Sequence, residues 1–110
     1  VWVNQQEMIA MAALLDVDIG TFVAWYVRKV GVRKSLIELP NGDCVFFDNQ
    51  SRQCAVYRHR PRQCRTWPFW DSNLRTEAAW KQTCDCCPGC GKGKKYSFDE
   101  IEALRKQLRV

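Results

Sequence analysis

Residues 44–64 read CVFFDNQSRQCAVYRHRPRQC, and they place Cys44, Cys54 and Cys64 at an even ten-residue interval. Four more cysteines follow, and these are Cys84, Cys86, Cys87 and Cys90. All seven cysteines of the 110-residue chain therefore lie in one stretch, which indicates a shared chemical role. They could be metal ligands, disulfide partners or redox thiols, and the residues between them help to decide.

The length of the chain suits a single small domain over residues 1–110, for which a metal or a cross-link would add to a modest core. No apolar run approaches the about 20 residues of a membrane helix, so we predict no membrane partner. The sequence begins with Val1 rather than Met and has no recognisable signal peptide. We therefore expect an N-terminally truncated fragment of a cytoplasmic protein.

Positive charge is concentrated in the cysteine-rich part of the chain. Residues 44–95 contain ten Lys or Arg and four Asp or Glu, a balance of +6. Such a segment could face nucleic acid. The favoured alternative is that its arginines hydrogen-bond loop carbonyls and offset the negative charge of a thiolate-bound metal.

Two helices are predicted near the N-terminus, after a short strand at residues 1–3. Asn4 is a good N-cap and Glu7 completes a capping box, so a helix should begin there. Asp18 should cap a second helix that continues through Val30 and ends at Gly31. We expect these helices to pack as an antiparallel pair.

The rest of the chain predicts a small α+β, loop-rich domain. Strands at residues 35–39 and 44–47 flank a Pro-Asn-Gly-Asp turn and indicate a short β-hairpin. Residues 84–95 contain Pro88 and three glycines, and we expect them to be irregular, with a tight turn at Pro88-Gly89. Ser97 and Glu100 form a second capping-box pattern, which predicts a C-terminal helix.

Metal binding explains the cysteines better than structural disulfides or a redox site would. Disulfides would suit a small secreted domain, but the cysteine count is odd and no export signal is visible. The CxxC pairs lack the strand–helix frame of a thioredoxin-like site. Zinc and iron–sulfur clusters both take four thiolates. His59, the only histidine, lies between two arginines in a cationic setting that disfavours a metal.

Residues 60–70, RPRQCRTWPFW, combine arginines, prolines and aromatic rings around Cys64. One interpretation is that these side chains surround the metal ligands and exclude water from them. The other is that they form a stacking platform for a nucleobase or a methyl-bearing ligand. We favour the first, because the aromatic residues are so close in sequence to Cys64.

The same residues resemble a known family. GDCVFF at residues 42–47, CAVY at 54–57, RPxxCRTWPF at 60–69 and CPG at 87–89 are similar to the bacterial cysteine-cluster family of the CxxCxxCC or YkgJ-like type, a zinc- or iron-chelating domain. Members usually carry a further CxxCC-like cluster just before the position of Val1. The resemblance therefore also implies that the chain is a fragment.

The resemblance implies that Cys44, Cys54, Cys64 and Cys87 are metal ligands, with Cys84, Cys86 and Cys90 as less certain additions. The residues that it places around the ligands are Tyr57, Arg60, Pro61, Arg65, Trp67 and Phe69. The implied cofactor is zinc or iron, including an iron–sulfur cluster. An iron–sulfur enzyme similar to a lysine N-methylase and a nucleic-acid-binding zinc module remain alternatives, while a protein partner and the biological role are not indicated. We lean towards a protein that is not an enzyme.

Overall fold

The computed structural model describes residues 1–87 and 89–108. The chain divides into two compact units, which are residues 1–61 and residues 62–110. The first unit combines helices with short antiparallel strands, and the second contains only helices and loops among its described residues. Each unit is described separately below.

Helix α1, Gln5–Leu14, begins as the sequence predicts. The Asn4 side chain accepts a hydrogen bond from the Glu7 N–H, and the Glu7 carboxylate accepts one from the Asn4 N–H. This capping box satisfies two of the N–H groups that a helix start leaves without a partner. The helix buries one face, formed by Met8, Met11 and Ala12, in the core of the first unit.

Helix α2, Ile19–Tyr26, is shorter than the sequence pattern predicts. Asp18 caps it as expected, since its carboxylate accepts from the Thr21 N–H at 2.8 Å. The axes of α1 and α2 are bent by 99° relative to each other, so the predicted antiparallel packing is wrong. The predicted extension to Val30 is also wrong, because Val27–Val30 forms a strand. β-Branched residues fit a strand well, and pairing with the next strand, Arg33–Leu36, decided the outcome.

The first sheet has three short antiparallel strands in the order β1-β3-β2. They are β1 (Trp2–Val3), β2 (Val27–Val30) and β3 (Arg33–Leu36). Val30 pairs with Arg33, so Gly31 and Val32 form a two-residue hairpin turn. Gly31 has a φ of 61°, which such turns require at their first central position. Gly31 therefore ends no helix, contrary to the sequence prediction.

The segment after β3 carries the predicted turn and a second, two-stranded sheet. Gly42 N–H donates to the Leu39 carbonyl, and an isolated bridge joins Glu38 to Cys44. Strands β4 (Phe47–Asp48) and β5 (Gln53–Cys54) then pair in antiparallel fashion, and a short 3₁₀ helix spans Tyr57–His59. The predicted hairpin around residues 40–43 is thus present as a turn and a bridge, while regular strand pairing lies elsewhere.

One hydrophobic core holds the first unit together. Its buried members are Met8, Met11, Ala12, Phe22, Leu36, Phe46 and Val56. The centroid of the Phe46 ring lies 6.0 Å from that of Phe22 and 4.8 Å from that of Tyr26. Because Cys44 and Cys54 pack against this core, the aromatic contacts also position the two thiols.

The second unit contains four helices among its described residues: α3 (Arg62–Thr66), α4 (Asp71–Leu74), α5 (Glu77–Cys86) and α6 (Phe98–Arg105). Helix α5 continues through Cys84 and Cys86, so the prediction that residues 84–95 are irregular is wrong at its start. Pro88, to which the tight-turn prediction applies, lies outside the described residues. Helix α6 has the predicted capping box between Ser97 and Glu100.

Ion pairs connect the helices of the second unit. The Arg105 guanidinium contacts Asp71 at 3.1 Å and Glu102 at 2.8 Å, which joins α6 to α4. Arg62 also donates to the Gln107 carbonyl, linking α3 to the end of the chain. Helices and small antiparallel sheets confirm the predicted α+β class, with its N-terminal helical pair and C-terminal helix.

Within residues 1–87 and 89–108, no single helix has the length and apolar character needed to cross a membrane. Helices α1 and α2 would meet those criteria only together, as a bent pair.

We expect Phe22→Ala to lower the free energy of unfolding by about 3–5 kcal/mol, because it removes a fully buried ring that contacts Phe46. Urea denaturation followed by circular dichroism measures the change. Ile9→Ala is the matched control, since Ile9 is half-exposed and should cost less than about 1 kcal/mol. Equal effects of the two substitutions would contradict the proposed core.

Candidate functional site

Cys44 lies where the turn at residues 39–43 returns to the core. Its backbone bridges Glu38, and its carbonyl accepts from the Phe47 N–H at 2.9 Å. The side chain is half-buried and packs against the core. Bonds on both sides of the residue therefore hold its thiol in a defined place.

Cys54 lies on β5, directly opposite Phe47 of β4. The next residue, Ala55, donates its N–H to the Phe46 carbonyl at 2.8 Å. Cys54 is also half-buried and packs against the same core as Cys44. The β4–β5 pairing thus brings the second thiol back to the segment that carries the first.

The β4–β5 pairing places Cys54 opposite Phe47, on the segment that follows Cys44, and the electrostatics of Cys44 agree with this proximity. Burial is the main cause that raises the pKa of the Cys44 thiol, because a thiolate is poorly solvated there. A hydrogen bond from the Phe46 N–H opposes this rise in pKa, while negative charge on Cys54 adds to it. The sequence-predicted ligands Cys44 and Cys54 are therefore brought together within the first unit.

Cys64 lies on the short helix α3 of the second unit and is half-buried. The hydroxyl of Thr66 donates to the Arg62 carbonyl, and the Trp70 indole N–H donates to the Gln63 carbonyl at 2.8 Å. These side-chain bonds bracket Cys64 along the chain. They fix its backbone more firmly than a five-residue helix would by itself.

The C-terminal cysteines divide into three environments. Cys84 and Cys90 form a disulfide with a Cα–Cα distance of 5.2 Å, so neither is a thiolate ligand in this form. Cys86 is exposed at the end of α5. Cys87 is half-buried, caps α5 through its N–H and accepts from the Cys90 N–H. Disulfide pairing, which the sequence made the weaker alternative, thus occurs at one pair.

Among residues 1–87 and 89–108, no group of three or more His, Cys, Asp or Glu side chains is assembled around a metal position. Cys44 and Cys54 belong to the first unit, whereas Cys64 and Cys87 belong to the second. Within the described residues of the first unit, Cys44 and Cys54 form a thiol pair. The four-ligand set remains a prediction from the sequence.

The residues predicted to surround the ligands have different roles. The guanidinium of Arg60 lies 3.9 Å from the centre of the Tyr57 ring, and its Nε donates to the Tyr57 carbonyl. Pro61 is fully buried, and Arg65 is exposed on α3. His59, at the end of the 3₁₀ helix, is exposed as well. The Arg60–Tyr57 stack therefore stiffens the chain after Cys54.

Trp67 and Phe69 line a cavity of about 690 Å³ in the second unit. Other aromatic side chains on its wall come from Trp80 and Tyr96, and the loop at residues 89–95 supplies glycines and lysines. Cys87 and Cys90 also line it. The alternative of a stacking platform at residues 60–70 included Trp67 and Phe69, but sequence reasoning missed the cavity itself and the contribution of the run GKGKK at residues 91–95.

We expect iodoacetamide to modify exposed Cys86 before Cys44 in the native protein at about pH 8, because the raised pKa of Cys44 leaves less of the reactive thiolate. The rate at Cys44 should rise with pH as its thiol ionises, and unfolding in urea should reduce the difference. Peptide mapping by mass spectrometry measures both rates. Equal modification of the two residues in the native protein would contradict the described burial.

Comparison with known proteins agrees with the cysteine pattern. The family model CxxCxxCC, described as "Putative zinc- or iron-chelating domain", matches residues 3–88, a range that includes every cysteine except Cys90. An uncharacterised protein of Methanocaldococcus jannaschii is 25% identical over 67 residues, which are 61% of this chain and 37% of that protein. The chain thus spans little more than a third of that relative's length. No solved structure matches significantly. Because the family model covers most of its length, the chain belongs to the CxxCxxCC family.

Proposed function

We propose that this protein chelates zinc or iron through cysteine thiolates, and that Cys44 and Cys54 are two of the ligands. The observation that carries the proposal is the β4–β5 pairing, which places Cys54 opposite Phe47 on the segment that follows Cys44. Burial raises the pKa of the Cys44 thiol, and negative charge on Cys54 adds to this rise, which agrees with their proximity. Membership of a family described as zinc- or iron-chelating supports the same chemistry.

A cation suits this thiol pair on electrostatic grounds. Two thiolates placed side by side repel each other, and partial burial weakens their solvation by water. A divalent metal reverses both effects, because it attracts the negative charges and replaces the lost hydration. Thiolate sulfur is also a preferred ligand type for zinc and for iron–sulfur clusters.

The core prepares the pair for binding. Cys44 is held by the bridge to Glu38, and Cys54 by the pairing of β5 with Phe47. Little conformational entropy then remains to be lost when the two sulfur atoms bind a metal. This rigidity favours a stable chelate over a transient contact.

Cys64 and Cys87 are the further ligands that we propose from the sequence. Both are half-buried, and both lie within the range matched by the family model. A structural zinc site has four ligands, and an iron–sulfur cluster is held by four cysteine thiolates. Substitution of each cysteine separately tests each assignment.

The remaining cysteines are weaker candidates. The disulfide between Cys84 and Cys90 would have to be reduced before either could bind a metal as a thiolate. Cys86 is exposed, so water can solvate its thiolate and a bound cation adds less stabilisation there. We further propose a reducing location such as the cytoplasm, which would keep Cys44 and Cys54 available as thiolates.

We expect the reduced, anaerobically purified protein to contain zinc or iron. Cys44→Ser or Cys54→Ser should each weaken metal binding by at least about 10- to 100-fold, because the loss of even a residue that supports a ligand typically costs this much. Elemental analysis and chelator competition measure content and affinity. A visible spectrum separates the metals, because zinc is colourless and an iron–sulfur cluster is brown.

Cys86→Ser is the matched control, since it removes an exposed thiol of the same chain. It should retain the metal content and affinity of the unaltered protein. The proposal fails if Cys44→Ser and Cys54→Ser bind metal as tightly as this control, or if the reduced protein binds neither zinc nor iron.

A further inference from the structure

The cavity of the second unit has the size and lining of a ligand site. Its volume of about 690 Å³ lies within the roughly 300–1,000 Å³ of small-molecule pockets. Its wall combines side chains of the Trp67–Phe69 segment, helix α5 and the loop that leads to Tyr96. All these residues belong to residues 62–110, whereas Cys44 and Cys54 belong to the first unit.

Aromatic rings form a rigid floor and two exposed walls. Phe69 is only 8% exposed and stacks on Trp80, with 6.0 Å between ring centroids and 13° between ring planes. Tyr96 meets Phe69 at 5.0 Å, edge to face. Trp67 and Tyr96 keep 39% and 41% of their surfaces exposed, so a planar ligand could cover them.

The Trp67 ring is held before any ligand arrives. It lies 4.7 Å from the Trp70 ring at 74°, and the Trp70 indole N–H is fixed by its hydrogen bond to the Gln63 carbonyl. A ring fixed in this way loses little freedom when a base stacks on it. The exposed face of the Trp67 ring is therefore held in a position where a planar ligand can stack on it.

The rim of the cavity is cationic. Lys92, Lys94 and Lys95 line it, and none of its described lining residues is acidic. Lys94 pairs with Glu100 at 2.8 Å and lies 4.9 Å from the centre of the Tyr96 ring. Within the described ranges 1–87 and 89–108, Lys92 and Lys95 form no ion pair, so their charges are available to an anion.

The lysine-bearing loop is anchored at both ends. The Cys90 N–H donates to the Cys87 carbonyl at 3.1 Å and the Lys92 N–H to the Gly89 carbonyl at 3.1 Å, while the ion pair with Glu100 fixes Lys94. Between these points, Gly91 and Gly93 have φ values of 76° and 73°, which other residues rarely adopt. The alternation of glycine and lysine therefore keeps a tight loop against the cavity while presenting positive charge.

We propose that this cavity binds a nucleobase that carries phosphate, either as a free nucleoside phosphate or as part of a single-stranded nucleic acid. The exposed aromatic rings would stack on the base, whose flat face suits them whatever its sequence identity. Lys92 and Lys95 would bind the phosphate as compact cations. Neither contact uses a thiol, although Cys87, one of the further proposed metal ligands, also lines the cavity.

Calorimetric titration of the full chain tests the proposal. The probes are AMP, UMP, inorganic pyrophosphate, a short single-stranded oligonucleotide and the matching duplex. We expect saturable binding of the base-containing single-stranded probes, weaker binding of pyrophosphate and duplex, and a loss of affinity between about 50 and 200 mM salt. Much tighter binding of the oligonucleotide would identify the strand as the source, and comparable binding of AMP would identify the free nucleotide.

Trp67→Ala should weaken binding about tenfold or more through lost stacking, and Trp67→Phe should retain part of the affinity. Tyr96→Ala is a second variant, should Trp67→Ala fail to fold in a thermal melt. Lys92→Glu should weaken every anionic probe. The matched controls are Trp25→Ala and Lys29→Glu, which alter exposed residues of the first unit and should change nothing.

Several results would overturn the proposal. One is the absence of saturable binding by any base-containing probe. Another is binding of pyrophosphate as tight as that of AMP, which would leave the aromatic rings without a role. A third is normal affinity in folded Trp67→Ala and Tyr96→Ala.

Discussion

The packing of Phe46 against Phe22 and Tyr26 is the interaction on which the first unit depends. Phe46 is buried. The centroid of its ring lies 6.0 Å from that of Phe22 and 4.8 Å from that of Tyr26. It also follows Cys44 by two residues, and its carbonyl accepts the N–H of Ala55, next to Cys54. Phe46 thus connects the helical core to the segments of both thiols, through its ring and its backbone carbonyl.

The two units of the chain place their cysteines in different chemical states. The first unit holds Cys44 and Cys54 as half-buried thiols beside a core, where ionisation is costly without a cation. The second holds Cys84 and Cys90 as a disulfide that fastens a lysine-rich loop. A thiolate that binds metal and a disulfide that shapes a loop are separate uses of the same residue, and the cysteine count alone does not distinguish them.

Local signals in the sequence predicted the structure well. Asn4 and Glu7, Asp18, and Ser97 with Glu100 each form caps through contacts within four residues, so a short stretch of sequence contains all the information. The family pattern was equally readable, since it consists of fixed cysteine positions. These features required no knowledge of which distant segments meet.

Features that depend on pairing between separate segments were harder to predict. Val27–Val30 has a pattern compatible with a helix, and only its pairing with β3 makes it a strand. The proximity of Cys44 to Cys54 depends on the β4–β5 turn rather than on the ten-residue interval, which has no structural meaning of its own. The alternative of a stacking platform at residues 60–70 anticipated only part of the cavity wall, because its rings and lysines come from three separate segments without periodicity.

X-ray absorption at the metal edge of the reduced, metal-loaded protein tests the central claim most directly. The account predicts sulfur ligands, at about 2.3 Å if the metal is zinc. Cys44→Ser and Cys54→Ser should each reduce the sulfur contribution, whereas Cys86→Ser should leave it unchanged. A metal surrounded only by nitrogen and oxygen, at about 2.0–2.2 Å for zinc, would contradict the claim that these cysteines form its site.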